Sequence, residues 1–309
     1  MLSPIKKHIP LTTSLTRTFT TTSKVHLFGH KVPSLNEASP KHTIFLHALL
    51  CQSRHWRSFA LNDVFSRRAH CHLVDLRNHG ESDQNGQMGY LDMAEDVVRY
   101  ADRADVDTFD VVGHAMGGKL AMVMACKYPD RVNSVISLDA LPIDNNETDP
   151  HVLANNIKAI DNLLALDIEG KTRKAVIDML NTKFEDKGVA ALVSMNIIYD
   201  GDQSNTVKWC TNIKAIRDNI EKIIGFVDQG KCTKPFLGIY GEASKNLINK
   251  LNQGGNYSIT QDSFSFSEDE TIVEIEKGSH WLHLEKQEEV TKHIGEFYKR
   301  IDSSDINSS

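Results

Sequence analysis

The sequence of 309 residues contains no run of the roughly 20 apolar residues that a membrane helix needs, so we expect no direct membrane span. Its five cysteines form an odd number without a C-x-x-C pair, which excludes a regular disulfide framework and a cysteine zinc site. We expect no metal and no cofactor. The formal net charge of −6 comes without the clustered Lys and Arg that phosphate contact requires, which excludes nucleic acid as a partner.

Acidic residues are absent before Glu37, which sets the N-terminus apart from the rest of the chain. Residues 1–36 carry five basic residues and many Ser and Thr, so their charge is +5 and that of the remainder −11. This composition is typical of a mitochondrial presequence. We therefore expect a mitochondrial protein, in the matrix or on the matrix face of the inner membrane. A plain disordered tail is the alternative.

Short apolar runs alternate with segments whose apolar residues recur at helical spacing, such as Tyr90–Arg103, Met116–Tyr128 and Gln287–Ile301. Continuous apolar runs are typical of strands buried on both faces, and their alternation with helices predicts an α/β protein with a mostly parallel, doubly wound sheet. The predicted strands are Thr43–His47, Cys71–Asp75, Phe109–Gly113, Ser134–Asp139, Pro235–Tyr240 and Thr271–Ile275.

The alternation stops between about residues 145 and 230, where helical patterns such as Asn155–Leu166 and Lys171–Phe184 take over. An insertion after the fourth predicted strand would form a helical cap over the carboxyl edge of the sheet. We expect one domain at 37–301 with this cap at 145–230, preceded by the presequence-like segment and followed by a flexible tail at 302–309.

A serine is missing where the sequence otherwise has the form of a nucleophile elbow. The run Gly113-His114-Ala115-Met116-Gly117 follows a predicted strand and opens a helix, which is the setting of the G-x-S-x-G motif. Ala115 occupies the nucleophile position, and its methyl group cannot attack a carbonyl. A glycine-rich turn that never held a nucleophile is the alternative interpretation.

The base and acid of a catalytic triad have candidates further along the chain. His280 follows the last predicted strand, which is the place of the base in the chain order Ser, Asp, His. Asp139 at the end of a strand is the first candidate for the acid, and Glu242 is the second, since residues 241–245 contain no Asp. Asp139 as a cap of the following helix is the alternative.

The backbone N–H groups of Leu49 and Met116 are the candidates for an oxyanion hole, because they lie after the first predicted strand and after the elbow position. This stretch resembles the His-Gly pattern of serine hydrolases, and Ala48 stands at the place of its glycine. Its Cβ disfavours a positive φ, so we expect a narrower approach to this loop.

Three motifs in order, D-x-R-N-H-G-x-S from Asp75, G-H-x-M-G-G-K from Gly113 and H-W-x-H from His280, resemble those of the α/β-hydrolase superfamily. Within it, Lys41 to Arg300 resembles the mitochondrial abhydrolase domain-containing protein eleven group and its fungal and bacterial esterase relatives. The resemblance implies a serine esterase or thioesterase of the matrix, some members being acyltransferases. It also implies, for some members, an acid within the cap, a position at which this chain has Lys214.

The chain departs from the family pattern at Ala115, at Ala48 and, for some members, at Lys214. Three functions are compatible with these departures. The first is a pseudoenzyme acting as a structural or accessory subunit of a mitochondrial assembly, such as a respiratory-chain complex, with other subunits as partners. The second is a serine esterase or thioesterase whose nucleophile has been replaced by Ala115 through engineering. The third is a non-catalytic protein that holds an acyl or ester ligand in the remnant pocket under the cap.

Overall fold

The computed structural model describes residues 24–36, 41–142, 144, 150–201, 204–226, 232–244 and 271–307. Within these ranges, seven strands form the central sheet and two short strands form a hairpin. The strands are β1 (Gly29–Val32), β2 (His42–Leu46), β3 (His70–Val74), β4 (Phe109–His114), β5 (Val132–Leu138), β6 (Ile197–Tyr199), β7 (Val207–Trp209), β8 (Phe236–Gly241) and β9 (Thr271–Ile275).

The helices are α1 (Arg57–Ala60), α2 (Asp63–Ser66), α3 (Tyr90–Arg103), α4 (Met116–Lys127), α5 (Pro150–Leu164), α6 (Arg173–Lys183), α7 (Lys187–Ser194), α8 (Ile213–Asp218), α9 (Ile220–Ile224), α10 (Leu282–Glu285) and α11 (Gln287–Asn307). Short 3₁₀ turns occupy Ser53–Trp56 and Glu242–Ser244. No helix in these ranges is long and apolar enough to cross a membrane.

The sheet has the strand order β1-β3-β2-β4-β5-β8-β9. β1 pairs antiparallel with β3, and the other neighbours pair in parallel. The predicted α/β class with a mostly parallel, doubly wound sheet is therefore confirmed. Because parallel strands end at one edge, this topology collects the residues after β2, β4, β5 and β8 at the carboxyl edge.

Both faces of the sheet are buried, as the continuous apolar runs predicted. Val111 and Val112 follow each other in β4 but belong to two different hydrophobic clusters, and Val135 and Ile136 in β5 do the same. Successive side chains of a strand point to opposite faces, so each pair contributes to both cores. One cluster includes residues of α3, α4 and the cap, and the other includes residues of α1, α2 and α11.

The two predicted terminal boundaries need correction. Residues 24–36 belong to the folded domain, because Val25 and Leu27 are buried in the core and β1 pairs with β3. The rest of the presequence-like segment, residues 1–23, lies outside the described residues. At the other end α11 continues to Asn307, and Asp302 forms ion pairs with Lys41 and Arg68, so the predicted tail at 302–309 is helical through residue 307.

The inserted segment is a cap, with more elements than the sequence predicted. α5 and α6 match the two predicted helical segments, with bounds that differ by one to five residues. The hairpin of β6 and β7 and the short helices α7, α8 and α9 were missed. The strands of the hairpin have three residues each, too few for an alternating pattern to be recognised.

Candidate active site

The turn between β4 and α4 has the backbone of a nucleophile elbow. Ala115, the single residue between the two elements, has φ 49° and ψ −112°, a conformation that residues with a Cβ rarely adopt. Its N–H donates to the carbonyl of Leu138 at 2.9 Å, and its carbonyl accepts from the N–H of Lys119 at 3.0 Å. Neighbouring elements thus hold residue 115 in this conformation at the strand tip.

The glycines of the motif permit contacts that any side chain would block. A Cβ on Gly113 would lie 2.1 Å from the carbonyl oxygen of Gly117, and a Cβ on Gly117 would lie 2.2 Å from the carbonyl oxygen of Leu46. The helix α4 can therefore approach both β4 and the end of β2 only with glycine at these positions. The sharp turn and its close packing are present, while the side chain at its tip is a methyl group.

Asp139 and His280, the predicted acid and base positions, contact each other. The Nδ1 atom of His280 lies 2.6 Å from Oδ2 of Asp139. The carboxylate is buried, with 2% of the side chain exposed, and also accepts hydrogen bonds from the N–H of Gly241 and the hydroxyl of Ser244, each at 3.0 Å. Since a carboxylate only accepts, Nδ1 of His280 is the donor in this contact, and Nε2 is the ring nitrogen that is not engaged with Asp139.

The loop carrying the base position is anchored to the elbow. Nε2 of His114, the residue before Ala115, contacts the carbonyl oxygen of His280 at 2.8 Å, which makes Nε2 the protonated nitrogen of His114. Burial, together with the neighbouring His283 and His280, holds the pKa of His114 well below its ordinary value. His114 is thus a neutral donor that fixes the position of His280 relative to residue 115.

Two other positions were considered for the acid: Glu242, the second candidate, and Lys214, which stands where some family members have an acid. Neither forms a hydrogen bond with His280 among the described residues. Glu242 accepts the N–H of Lys277 at 2.8 Å at the exposed start of the 3₁₀ turn. Lys214 lies on the exposed side of α8, where it pairs with Asp218 at 2.7 Å. Among the acids considered, Asp139 alone is placed to orient the imidazole.

Leu49 and Met116, the predicted oxyanion residues, line the same cavity as Ala115. Met116 is the first residue of α4, so its N–H has no partner within the helix. Ala48 does not have a positive φ, because the left-handed residue of this loop is Leu50, with φ 59°. The narrower approach expected from the Cβ of Ala48 stays a prediction. The N–H of Leu50 donates to Nε2 of His79 at 3.2 Å.

The loop from Asp75 to Asp83, which contains the first of the three motifs, supports the residues around the oxyanion position. Asp75 accepts the N–H of Ser53 at 2.6 Å and the N–H of Glu81 at 2.9 Å. His79, by accepting from Leu50, ties the same loop to the segment after β2. Burial lowers the pKa of His79 to about 4, so its ring is neutral and its Nε2 accepts at physiological pH.

A cavity of about 290 Å³ connects these groups beneath the cap. Its floor is formed by the residues at the carboxyl edge, and its roof by α5, α7 and α9. Most of its side chains are apolar, and the cap contributes Val152, Asn156, Ala159, Val189, Leu192, Val193, Ile223 and Ile224. Within the described ranges, no group of three or more His, Cys, Asp or Glu side chains could hold a metal ion.

Sequence reasoning missed Lys119, which also lines the cavity one helical turn after Ala115. Its Nζ donates to the carbonyls of Ile224 at 2.7 Å and Gly225 at 3.0 Å, at the end of α9. Burial lowers the pKa of this amine to about 7, opposed by the charge of Asp144. The sequence signal that could have identified it is its position as the last residue of the G-H-x-M-G-G-K motif. Lys119 joins the elbow helix α4 to the cap.

A profile of the α/β-hydrolase fold family matches residues 41–287, and the chain therefore belongs to this family. It is 25% identical over 269 residues to the zebrafish (Danio rerio) sn-1-specific diacylglycerol lipase ABHD11, covering 86% of this chain and 80% of the relative. It is 24% identical over 222 residues to the esterase YbfF of Escherichia coli, covering 72% of this chain and 79% of the esterase.

The solved structure of a marine microorganism esterase superposes with a TM-score of 0.74 and 26% sequence identity, covering 88% of this chain and 99% of the esterase. The fold class and the resemblance to the abhydrolase domain-containing group, both expected from three short motifs, are confirmed. The chain is thus an α/β-hydrolase with esterase and lipase relatives.

Proposed function

We propose that this chain is a non-hydrolysing α/β-hydrolase, a pseudoenzyme that retains the cavity of its family without the nucleophile. The observation that carries the proposal is the methyl group of Ala115 at the tip of an otherwise complete elbow. Acyl transfer through the elbow requires an oxygen or sulfur that forms a bond to the substrate carbonyl, and a methyl group supplies neither. The contact of His280 with Asp139 does not replace that atom.

The cavity supports a binding role for the same site. Its largely apolar lining suits an acyl chain, and the N–H of Met116 at the start of α4 suits an ester carbonyl oxygen. The ligand class is therefore an acyl or ester compound held under the cap. Two relatives are named a diacylglycerol lipase and an esterase, and both names refer to ester compounds.

Labelling with a fluorophosphonate probe tests the missing nucleophile, because the probe forms a covalent bond with an activated serine. The chain as it stands is expected to remain unlabelled, and Ala115→Ser is expected to become labelled. The matched control combines Ala115→Ser with His280→Gln, which keeps the hydroxyl but removes the base, and should label far more slowly. Labelling of the unchanged chain would contradict the proposal.

A serine esterase or thioesterase whose nucleophile has been replaced is the second candidate. The specific observation in its favour is the intact hydrogen bond between His280 and Asp139, which serves no catalytic purpose without a nucleophile. The codon for residue 115 in the natural transcript distinguishes the two candidates. An alanine codon supports the pseudoenzyme, and a serine codon supports the enzyme.

The place of the protein in the cell is part of the first proposal. The basic, acid-free composition before Glu37 supports import into mitochondria, to the matrix or the matrix face of the inner membrane. There we propose an accessory role in an assembly such as a respiratory-chain complex, with other subunits as partners. Native electrophoresis of solubilised mitochondria should place the chain in a large complex, and migration as a 34.7 kDa monomer would contradict this role.

A further inference from the structure

A second cavity, of about 510 Å³, opens beside the base position and continues the cavity under the cap. It is a groove between α7 of the cap and the segment from Ser279 to Glu285, and we call it the outer groove. The two cavities share four lining residues, which are Val189, Leu192, His280 and Trp281. A ligand that extends past His280 would therefore occupy both spaces.

The candidate catalytic groups assign the two halves of such a ligand. Met116, whose N–H suits an ester carbonyl oxygen, lines the cavity under the cap but not the outer groove. His280 lines both spaces, and in acyl transfer a base at this position gives its proton to the leaving group. The acyl chain therefore belongs in the cavity under the cap, and the alcohol part of the ester belongs in the outer groove.

Apart from His280, the ionisable side chains that line the outer groove are two exposed carboxylates. Asp186 lies immediately before α7 on one wall, and Glu285 ends α10 on the other wall. Oδ1 of Asp186 accepts the N–H of Gly188 at 2.7 Å and that of Val189 at 3.3 Å, which holds this side chain at the groove. No Lys or Arg of the described residues lines the outer groove.

The neighbouring cations do not neutralise this charge from within the groove. Lys187 and Lys286 follow the two carboxylates in sequence, but neither lines the groove. The amine of Lys187 instead donates to the carbonyls of Asn181 and Phe184. The indole of Trp281 adds an aromatic surface to the lining, and the face of an indole attracts cations. The outer groove therefore favours a positive charge and disfavours a phosphate.

We propose that this site takes acyl esters of a cationic alcohol, with the acyl chain under the cap and the ammonium group in the outer groove between Asp186 and Glu285. The inference rests on the proposed binding function of the same cavity. Exposed ion pairs and cation–π contacts are individually weak, so together they should favour a cationic ester over an uncharged ester of the same shape by about 5- to 30-fold. The same charges disfavour acyl thioesters of phosphate-bearing carriers.

Calorimetric titration of the full-length protein tests the charge preference. Butyrylcholine is compared with 3,3-dimethylbutyl butyrate, in which a carbon atom replaces the ammonium nitrogen and the shape is kept. At about 50 mM salt we expect butyrylcholine to bind about 5- to 30-fold more tightly, and at about 1 M salt the ratio should approach 1 because the charges are screened. Equal affinities at low salt would overturn the inference and leave the proposed binding function standing. Binding of neither ester would contradict both.

Neutral variants locate the ammonium group. Asp186→Asn combined with Glu285→Gln should bring the ratio of the two affinities close to 1 and leave the affinity for the uncharged ester unchanged. Asparagine caps a helix as well as aspartate does, so α7 should be retained. The matched control is Glu288→Gln, an exposed acid in the first turn of α11 that does not line the outer groove. A preference that survives in the double variant, or that the control also removes, would overturn the proposal.

Discussion

Contacts that do not involve the side chain of residue 115 hold Asp139 and His280. The carboxylate of Asp139 is fixed by Gly241 and Ser244, and the carbonyl of His280 is fixed by His114. The acid–base pair therefore remains assembled when the nucleophile is alanine. For the same reason, a serine introduced at position 115 would meet a base that is already oriented.

The first prediction concerns which carboxylate orients His280. In the Ala115→Ser background, Asp139→Asn should lower kcat about 10⁴-fold, because an asparagine favours the wrong imidazole tautomer. The matched control is Glu242→Gln, which changes the other candidate acid and should leave kcat within a factor of about 3, since Glu242 contacts Lys277 instead. Steady-state kinetics with a chromogenic short-chain ester measures both, and an equal loss in the two variants would show that the assignment is wrong.

At the scale of elements, the elbow depends on the approach of α4 to β2 and β4. This approach is a property of the backbone, and it is independent of whether residue 115 can react. Fold and reactivity are therefore separable at this site. The cap is joined to the same helix through Lys119, so α4 connects the sheet below it with the roof of the cavity.

The second prediction tests that approach. Gly117→Ala places a Cβ 2.2 Å from the carbonyl oxygen of Leu46, which forces the helix away from the sheet. We expect the free energy of unfolding in urea to fall by about 3–5 kcal/mol, as for other severe steric changes in a core. Gly86→Ala is the matched control, because the φ of Gly86 is not positive. Apart from the chain neighbours of Gly86, no atom of the described residues lies within 4 Å of the Cβ that alanine would add. A loss under about 1 kcal/mol for Gly117→Ala, which is in the range of ordinary surface changes, would contradict the packing described.

The third prediction concerns the pH dependence of stability that Lys119 confers. Its pKa is about 7 in the folded protein and 10.5 in its ordinary state, so between these pH values the unfolded chain binds more protons than the folded chain. The stability contributed by this group therefore rises with pH across that window, by at most about 1.4 kcal/mol per pH unit.

Urea unfolding at several pH values between 7 and 9 measures this contribution. Lys119→Met removes the titrating amine and should flatten the rise of stability with pH. Lys127→Met, at the exposed end of the same helix, is the control and should retain it. If Lys119→Met follows the pH dependence of the unchanged chain, the amine does not titrate in this window.

At the scale of the whole molecule, the six strands with continuous apolar sequences could be predicted to within two residues at each end. β1 could not, because Gly29–Val32 is a half-exposed edge strand with His30 and Lys31 in its centre. The position of β1 depends on its pairing with β3, which is distant in sequence. A pattern within the strand itself cannot predict such a pairing.

The candidate site was predictable where a motif fixes the position and ambiguous where only strand ends do. Ala115, Met116 and His280 follow from motifs, whereas Asp139 and Glu242 both follow strands at the same edge. Only the 2.6 Å contact with His280 separates them. Lys119 was missed because a charged residue on a helix is usually solvated, and its burial depends on the cap folding over it.

Pre-steady-state kinetics tests the central claim, that the family cavity is kept here without its nucleophile. The unchanged chain and Ala115→Ser are each mixed with excess p-nitrophenyl butyrate, and release of p-nitrophenol is followed from the first milliseconds. We predict no burst for the unchanged chain, with turnover at most about 10³–10⁴-fold above water, and a burst equal to the protein concentration or faster turnover for Ala115→Ser. A stoichiometric burst from the unchanged chain would contradict the account, because it would require a nucleophile other than residue 115.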